Sequence, residues 1–487
     1  MASPETAPRQ VRFRRCSIWS PTLHLRGIDA AAQARLQAYG QDISNSVLSL
    51  DIYESIFQNT LSGTVRLKET DGYPEYFPLV GTEYLFVEFV IDYLGDERVF
   101  SRDFRIRKIG DQSFPQREER LYTLELVSPE FFKSMSSRMT QRHQETCTDA
   151  VKSIMEMQLG IDKTSIDGED SAGTPFVEKT SGTIDVLIPN YTPLQAINYF
   201  TALALTEKTP YASNFLFYET LDGFYFKSIR GILQQYPADQ TPPSEVATFE
   251  VNAHQLTGSQ NINEDQAFNS IIRLQQEQMF DVLSDVTTGV LRSRMLHLDF
   301  FARQFSEVDS GYTKTFEKFK DDHLDKFPLY PENFEQSVDK NTKLFTVLSD
   351  TSSSESPYRI QNEGQTAPNR IYESVMLRNR QLREIQHLRT VLEVPGQPNL
   401  RAGTVVILNY PSTRLIADTD TNLSAAVIQH PTPFHSGRHL VTAVRHNLVQ
   451  ISTGIMEYRM HIEATRDSLG SALTPYPEDP TDVDTPR

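Results

Sequence analysis

Four runs between Thr390 and Leu469 decide how this chain folds: Thr390-Val-Leu-Glu-Val394, Val405-Val-Ile-Leu408, Gly437-Arg-His-Leu-Val-Thr-Ala-Val-Arg-His-Asn-Leu448 and Met456-Glu-Tyr-Arg-Met-His-Ile-Glu-Ala-Thr465. In the last, Met456, Tyr458, Met460, Ile462 and Ala464 alternate strictly with Glu457, Arg459, His461, Glu463 and Thr465. A period of two is the pattern of a strand buried on one side and wet on the other. The turn Pro395-Gly-Gln-Pro398 separates the first two runs. Several such strands at close spacing predict a small antiparallel barrel or sandwich. Nothing in the stretch has the form of a catalytic motif.

Working outward, residues 45–135 carry the same signature. Leu48, Leu50 and Ile52 alternate with polar neighbours, as do Val65 and Leu67, then Leu85, Val87, Phe89 and Ile91, then Phe104 and Ile106, then Tyr122, Leu124 and Leu126. Asp71-Gly72, Gly95-Asp96 and Gly110-Asp111 are the expected turns. This is a first β-barrel unit, and Ser128-Pro129-Glu130 then starts a helix. Residues 136–243 read as an α+β module. Cys147, Val151, Ile154 and Leu159 have helical spacing behind a Thr146/Asp149 capping box, Ile184, Val186 and Ile188 alternate, Thr192-Pro193 opens a second helix, and Phe215–Tyr218 with Phe224–Phe226 forms a hairpin.

Residues 244–280 are expected to start a second β-barrel, whose remainder is 371–470; residues 281–370 interrupt it. Within the interruption, Leu291 to Phe305 fits a helix by spacing, while Arg294-Met-Leu-His-Leu-Asp299 also suits a strand. Met376 to Arg389 reads as a helix through Leu382, Ile385 and Leu388. Two end segments flank these units. Residues 1–44 form a basic arm with Arg9, Arg12, Arg14, Arg15 and Arg26, read either as docking on an acidic neighbour or as a solvated tail. Residues 471–487, proline-rich and acidic, are expected to be a disordered tail.

The totals bound the function. A chain of 487 residues holds roughly 3 domains. No run is long and apolar enough for a transmembrane helix, and no apolar secretion core follows the N-terminal arginines, so no membrane insertion and a cytoplasmic chain are expected. Cys16 and Cys147 are the only cysteines, which fits a reducing compartment without a disulfide framework. The net charge of −17, from 47 Lys+Arg against 64 Asp+Glu, argues against a nucleic-acid binder but suits a surface that DNA passes without sticking. No phosphate loop, dinucleotide fingerprint, zinc-protease motif or nucleophile elbow occurs. His430, His435, His439 and His446 lack the carboxylate or cysteine that would complete a zinc spacing, and Asp418-Thr-Asp-Thr-Asn422 fails as a calcium loop at Leu423 and Gln429. No catalytic residue, metal or cofactor is expected.

The order of parts resembles the baseplate hub of contractile-tailed phages. The resemblance is carried by Gly289-Val-Leu-Arg-Ser-Arg-Met-Leu-His-Leu-Asp299, which favours the strand reading there, by the turn and strand at 395–408, and by Ser436 to Leu448 with the strand ending at Arg466-Asp-Ser468. It covers residues 45–469. It implies a mixed α+β, mainly β chain whose two barrels are tube domains, and a homotrimer that forms a pseudo-sixfold ring in the virion tail baseplate, assembled in the host cytoplasm. Tail tube protein above, central spike below, other baseplate proteins and double-stranded DNA in a central channel are the implied partners. The polar strand faces then supply channel-lining candidates, Glu88 and Asp92 on one barrel and Glu457 and Glu463 on the other. Two alternatives stand beside it, a hub of type six secretion spike proteins and a cell-wall-degrading tail enzyme; a tube or sheath subunit would have one barrel where this chain has two.

Overall fold

Gln10–Trp19, in the arginine-rich N-terminal segment, is a strand (β1) set inside the main sheet. Its register slips between Phe13 and Arg15, a bulge that puts Arg14 and Arg15 side by side and hides the period of two from a reading of the sequence. Val11, Cys16 and Ile18 still reach the core. The expectation of a free arm is therefore corrected for these residues, and the acidic neighbour that meets them is in the same chain. The computed structural model describes residues 10–20, 40–70, 79–93, 96–116, 119–169, 173, 175–207, 214–234, 247–251, 269–278, 280–299, 303–320, 323–349, 373–410, 435–452 and 455–470. Arg9, Arg26, His430, the Asp418–Asn422 stretch and the acidic tail lie outside them.

After β2 (Gln41–Asp42), the first unit contributes β3 (Val47–Ser55), β4 (Ser62–Glu69), β5 (Tyr84–Tyr93), β6 (Asp96–Gln116) and β7 (Glu119–Val127). Gly110-Asp111, expected to be a turn, instead lies inside the long β6, where the register shifts and Asp111 takes a φ of 49°. The α+β module follows. Its helix Pro129–Ser136 starts after Ser128 as expected, although the Ser128 side chain makes no capping bond to the helix backbone. β8 (Met139–Glu145) pairs with β9 (Ile184–Tyr191). The helix Cys147–Ile154 is capped by Thr146, and Pro193–Leu203 by a full Thr192/Gln195 capping box. β10 (Phe215–Glu219) and β11 (Phe224–Ser228) form the hairpin, and Phe200, Phe215 and Phe226 are fully buried in the module's core.

The second unit opens with β12 (Thr248–Val251), β13 (Ser270–Ile271) and β14 (Arg273–Gln278). The inserted residues hold the helix Val282–Thr288, β15 (Arg292–Asp299), β16 (Gln304–Gly311), the helix Tyr312–Lys318, β17 (Phe327–Pro328), the helix Glu332–Ser337 and β18 (Leu344–Ser349). The strand reading holds at 292–299: β15 lies between β16 and β18 in a sheet of three. This module has a small core of its own around Leu291, Tyr312, Phe316 and Tyr330. The next helix stops at Glu384 rather than Arg389. Leu388 belongs to β19 (Leu388–Pro395), where Thr390, Val391 and Val394 are β-branched and pack on a pleated surface better than on a helix. β20 (Val405–Asn409), β21 (Gly437–Ser452), β22 (Ile455–Arg466) and β23 (Ser468–Leu469) complete the chain.

The two β units are parts of one 14-stranded sheet. β21 and β22 form a long hairpin in which each strand changes its outer neighbour halfway. Along Ala443–Val449 β21 pairs with β3, and along Val405's partner Leu440 to Gly437 it pairs with β20. β22 pairs with β1 at Met456 and Glu457, and with β19 from Arg459 to Arg466. Two circuits of pairing therefore close through the same hairpin. One runs β21, β3, β4, β7, β6, β5, β1, β22. The other runs β21, β20, β12, β13 and its continuation β14, β19, β22. The second circuit is not wholly antiparallel, because β12 runs parallel to both β20 and β13. A single apolar core fills both, from Leu50 and Phe89 to Leu392 and Ile462. Gly396 sits where the turn crosses the hairpin; a Cβ there would land inside the Tyr458 ring, so only glycine lets the backbone approach this closely.

Candidate channel face and the buried junctions behind it

Directly opposed residues of an antiparallel pair share a face, so the register assigns the predicted channel acids to a side of the sheet. Gln10 opposes Glu457, Arg12 opposes Val90, and Arg15 opposes Glu88. Glu88 on β5, with Glu457 and Glu463 on β22, thus share the face turned away from the core, and Asp92 is a later residue of β5. The face carries both signs of charge. Arg14 Nη1 lies 3.8 Å from Glu88. Arg459 bridges Glu457 at 2.9 Å and Glu393 at 2.8 Å, and Arg445 meets Asp51 at 2.9 Å. Glu463 accepts from the Thr442 hydroxyl at 2.6 Å. The arginines neutralise much of what composition alone suggested would be a bare negative lining.

Behind this face lies a junction that the sequence reading missed. Glu54, on β3, accepts from Leu221 N at 2.8 Å with Oε1 and from Ala402 N at 3.0 Å with Oε2. His446 Nε2 stands 3.2 Å from the same Oε1, and its Nδ1 is 2.7 Å from the Tyr458 hydroxyl. Arg401 approaches Glu54 at 4.0 Å and donates to Asp222 at 3.1 Å. Burial alone would raise the Glu54 carboxyl, but His446, Arg401 and the Ala402 N–H outweigh it and hold it below the ordinary value. One carboxylate thereby ties the first circuit to the second and to the turn of the β10–β11 hairpin. The available signal was Glu54 and His446 on the apolar side of strict alternations, where a charge needs a partner.

A second buried junction attaches the inserted module. Arg466 is fully buried; it pairs with Asp325 at 2.6 Å and donates to Ser436 O at 2.9 Å. His323 Nδ1 is 2.9 Å from Asp467, whose other oxygen accepts from Leu324 N at 3.2 Å. β17 pairs with β23 across the seam, and within the module Tyr330 donates to Asp285 at 2.6 Å. An apolar groove of about 750 Å³ beside this seam is lined by Leu329 and Phe334 of the module together with Phe280, Leu388 and Leu469. His439 is buried on β21 with Nδ1 3.0 Å from Gly437 O. Burial and the neighbouring Arg466 charge drive its imidazole down to about 3. Among the described residues no cluster of His, Cys, Asp and Glu could hold a metal ion.

The chemistry open to these groups is limited by access. Glu54 and His446 are wholly buried and His323 and Asp467 nearly so; imidazole–carboxylate pairs of this kind fix packing and cannot reach a polymer substrate. Among the described residues no helix is long and apolar enough to cross a membrane.

The structure is similar to phage tail proteins. The tail protein from Neisseria meningitidis MC58 aligns over 94% of this chain and 99% of its own, at 12% identity and a TM-score of 0.46. The 43 kDa tail protein of prophage MuSo2 from Shewanella oneidensis aligns over 88% and 96%, at 9% identity and a TM-score of 0.47. The E. coli c3393 protein, a type VI secretion component itself similar to the T4 tail proteins gp27 and gp5, aligns over 88% and 76%, at 8% identity and a TM-score of 0.38. No family model and no curated protein matches the sequence.

Proposed function

We propose that this chain is a structural hub of a contractile phage tail, acting as a trimer without catalysis. The observation that carries the reading is the pair of pairing circuits built on one shared hairpin. On this reading the circuits are the two tube-type barrels expected from the sequence. A chain with two such units presents two comparable surfaces, so three copies present six. A ring of this kind joins a sixfold tail tube to a threefold central spike, a mismatch that one barrel per chain cannot bridge in a closed ring. Glu88, Asp92, Glu457 and Glu463 are the residues proposed to line the bore. The alternating charges of the outer face give passing double-stranded DNA no continuous basic track to bind. Tube protein, spike and other baseplate proteins are the partners, and the virion baseplate is the location.

Light scattering coupled to sizing tests the assembly: the purified chain is expected to elute as a trimer, with threefold or pseudo-sixfold rings in negative stain. A stable monomer at micromolar concentration overturns it. Reversing Glu88 and Glu457 to lysine in an assembled particle is expected to slow DNA ejection; unchanged ejection with intact rings removes these residues from the bore.

A further inference from the structure

β23 is the last strand among the described residues, and its Leu469 lines the apolar groove beside the module seam. Part of the groove wall is preorganised. Tyr330 and Phe334 stack with ring centroids 5.7 Å apart, and the Tyr330 hydroxyl is engaged by Asp285, so the wall offers ring surface. Pro331 and Phe280 line the groove as well, and Phe280 keeps 60% of its surface exposed. An apolar surface this bare marks a place where something docks. A volume of about 750 Å³ suits a few side chains. The residues that follow Leu469 have the matching chemistry. Ala472, Leu473 and Tyr476 are apolar or aromatic, Pro475 and Pro477 flank the tyrosine, and the acids Glu478, Asp479, Asp482 and Asp484 come only after them. Proline-flanked segments bind aromatic-lined grooves well because they are extended before they bind and lose little entropy on docking.

We propose that this groove is the docking site of the chain's own residues 471–477, with Leu473 and Tyr476 as the anchors. Reach allows it: at ~3.3–3.6 Å per extended residue, Leu473 comes within about 14 Å of Leu469 and Tyr476 within about 25 Å. Tethering selects this occupant over others. A segment joined to the groove by a few residues is held at an effective concentration on the order of millimolar, so contacts too weak to capture a second copy at micromolar concentration keep it in place. Docked there, the segment touches Leu329 and Phe334 of the inserted module together with Leu388 of β19, and so straps the module across the seam that Arg466 and Asp467 anchor. The four acids beyond Pro477 are left outside the groove, which spares their charges desolvation. The inference goes beyond the hub reading and does not depend on it, because both parties belong to one chain.

A chain shortened to end at Gly470 tests it, together with a fluorescein-labelled peptide of residues 471–480. The peptide is expected to bind the shortened chain, and to bind the full chain about tenfold more weakly because the tethered segment competes for the groove. Binding is expected to be lost with Leu473→Ala and Tyr476→Ala in the peptide, or with Phe334→Asp in the groove. Equal binding to both chains, no binding to the shortened one, or binding that survives Phe334→Asp overturns the proposal. Hydrogen exchange identifies the competing occupant. Protection of peptides covering 329–337 is expected to be independent of chain concentration and to fall when 471–487 are removed. Protection that grows with concentration and survives the removal puts a second copy in the groove and overturns the proposal. If the shortened chain does not fold, the same exchange measurement on the full chain carrying Leu473→Asp and Tyr476→Asp decides: faster exchange over 329–337 supports the docking, and exchange as in wild type overturns it.

Discussion

The two buried ionic junctions are built from similar groups but sit in different surroundings. At the first, Glu54 lies between circuits that share one apolar core and one hairpin. At the second, Arg466 and Asp467 face a module with a core of its own, beside a groove that packing leaves open. A buried ion pair costs desolvation wherever it is placed, so it is weak evidence for stability in itself. What differs is what it couples. Inside a shared core, loss of a partner is felt by every strand around it; at a seam between separate cores the loss can be confined to one module.

The largest effect is expected at Glu54. Glu54→Ala removes the acceptor of Leu221 N and Ala402 N and leaves His446 and Arg401 facing a void, which should cost about 3–5 kcal/mol. Urea denaturation followed by the single tryptophan, Trp19, reads it directly, because Trp19 stacks on Tyr84 in the first circuit. A variant that kept the wild-type midpoint would break the comparison. Arg466→Met comes next, at about 2–3 kcal/mol for the charged hydrogen bonds lost. Its effect should fall on the inserted module: faster proteolysis within 282–349, with the Trp19 transition nearly unmoved. If both variants shift Trp19 equally, the two junctions belong to one cooperative unit.

How far the sequence foretold this follows the same physics. Strands with strict alternation, such as β5 and β22, could be read because one face is uniformly buried. β1 could not, since Arg14 is an extra residue at its bulge and breaks the period of two. The helix before β19 was drawn too long because Leu382, Ile385 and Leu388 keep helical spacing by coincidence. The candidate acids were legible as the polar half of an alternation, and so was Arg459 beside Glu457 on the same strand; the Arg14 that meets Glu88 comes from β1, and no local pattern announces it. The sharing of β21 and β22 between circuits depends on pairings such as Ala443 with Ser55, and no single-strand pattern contains it.

Proton linkage sharpens the contrast at smaller cost. His439 stays neutral beside Arg466 and is held down to about 3, so the unfolded chain binds a proton that the folded one refuses. Its stabilising effect is complete above the ordinary imidazole range and is lost as pH falls towards 3, amounting to about 2 kcal/mol by pH 5. Burial pushes the Glu219 carboxyl at the end of β10 up to about 7, the opposite sign, so its contribution is present in acid and is lost as pH rises towards 7. Thermal melts of His439→Gln at pH 5 and pH 7 should show a smaller difference than wild type; an equal difference would assign the acid sensitivity elsewhere.

The smallest effect is expected on the outer face. Arg459 sits between Glu393 and Glu457 with about a third of its side chain exposed, so water and salt already screen most of what it contributes. Arg459→Ala should cost below about 1 kcal/mol, less still in molar salt. That smallness bears on the comparison, because charges on this face can change sign or number without threatening the fold, whereas Glu54 and Arg466 cannot. A surface meant to meet DNA or a neighbouring subunit has that freedom; a structural junction does not. A loss at Arg459 as large as that at Glu54, and insensitive to salt, would mean that the pair is buried in the assembled protein and that this face is a subunit contact instead of a bore.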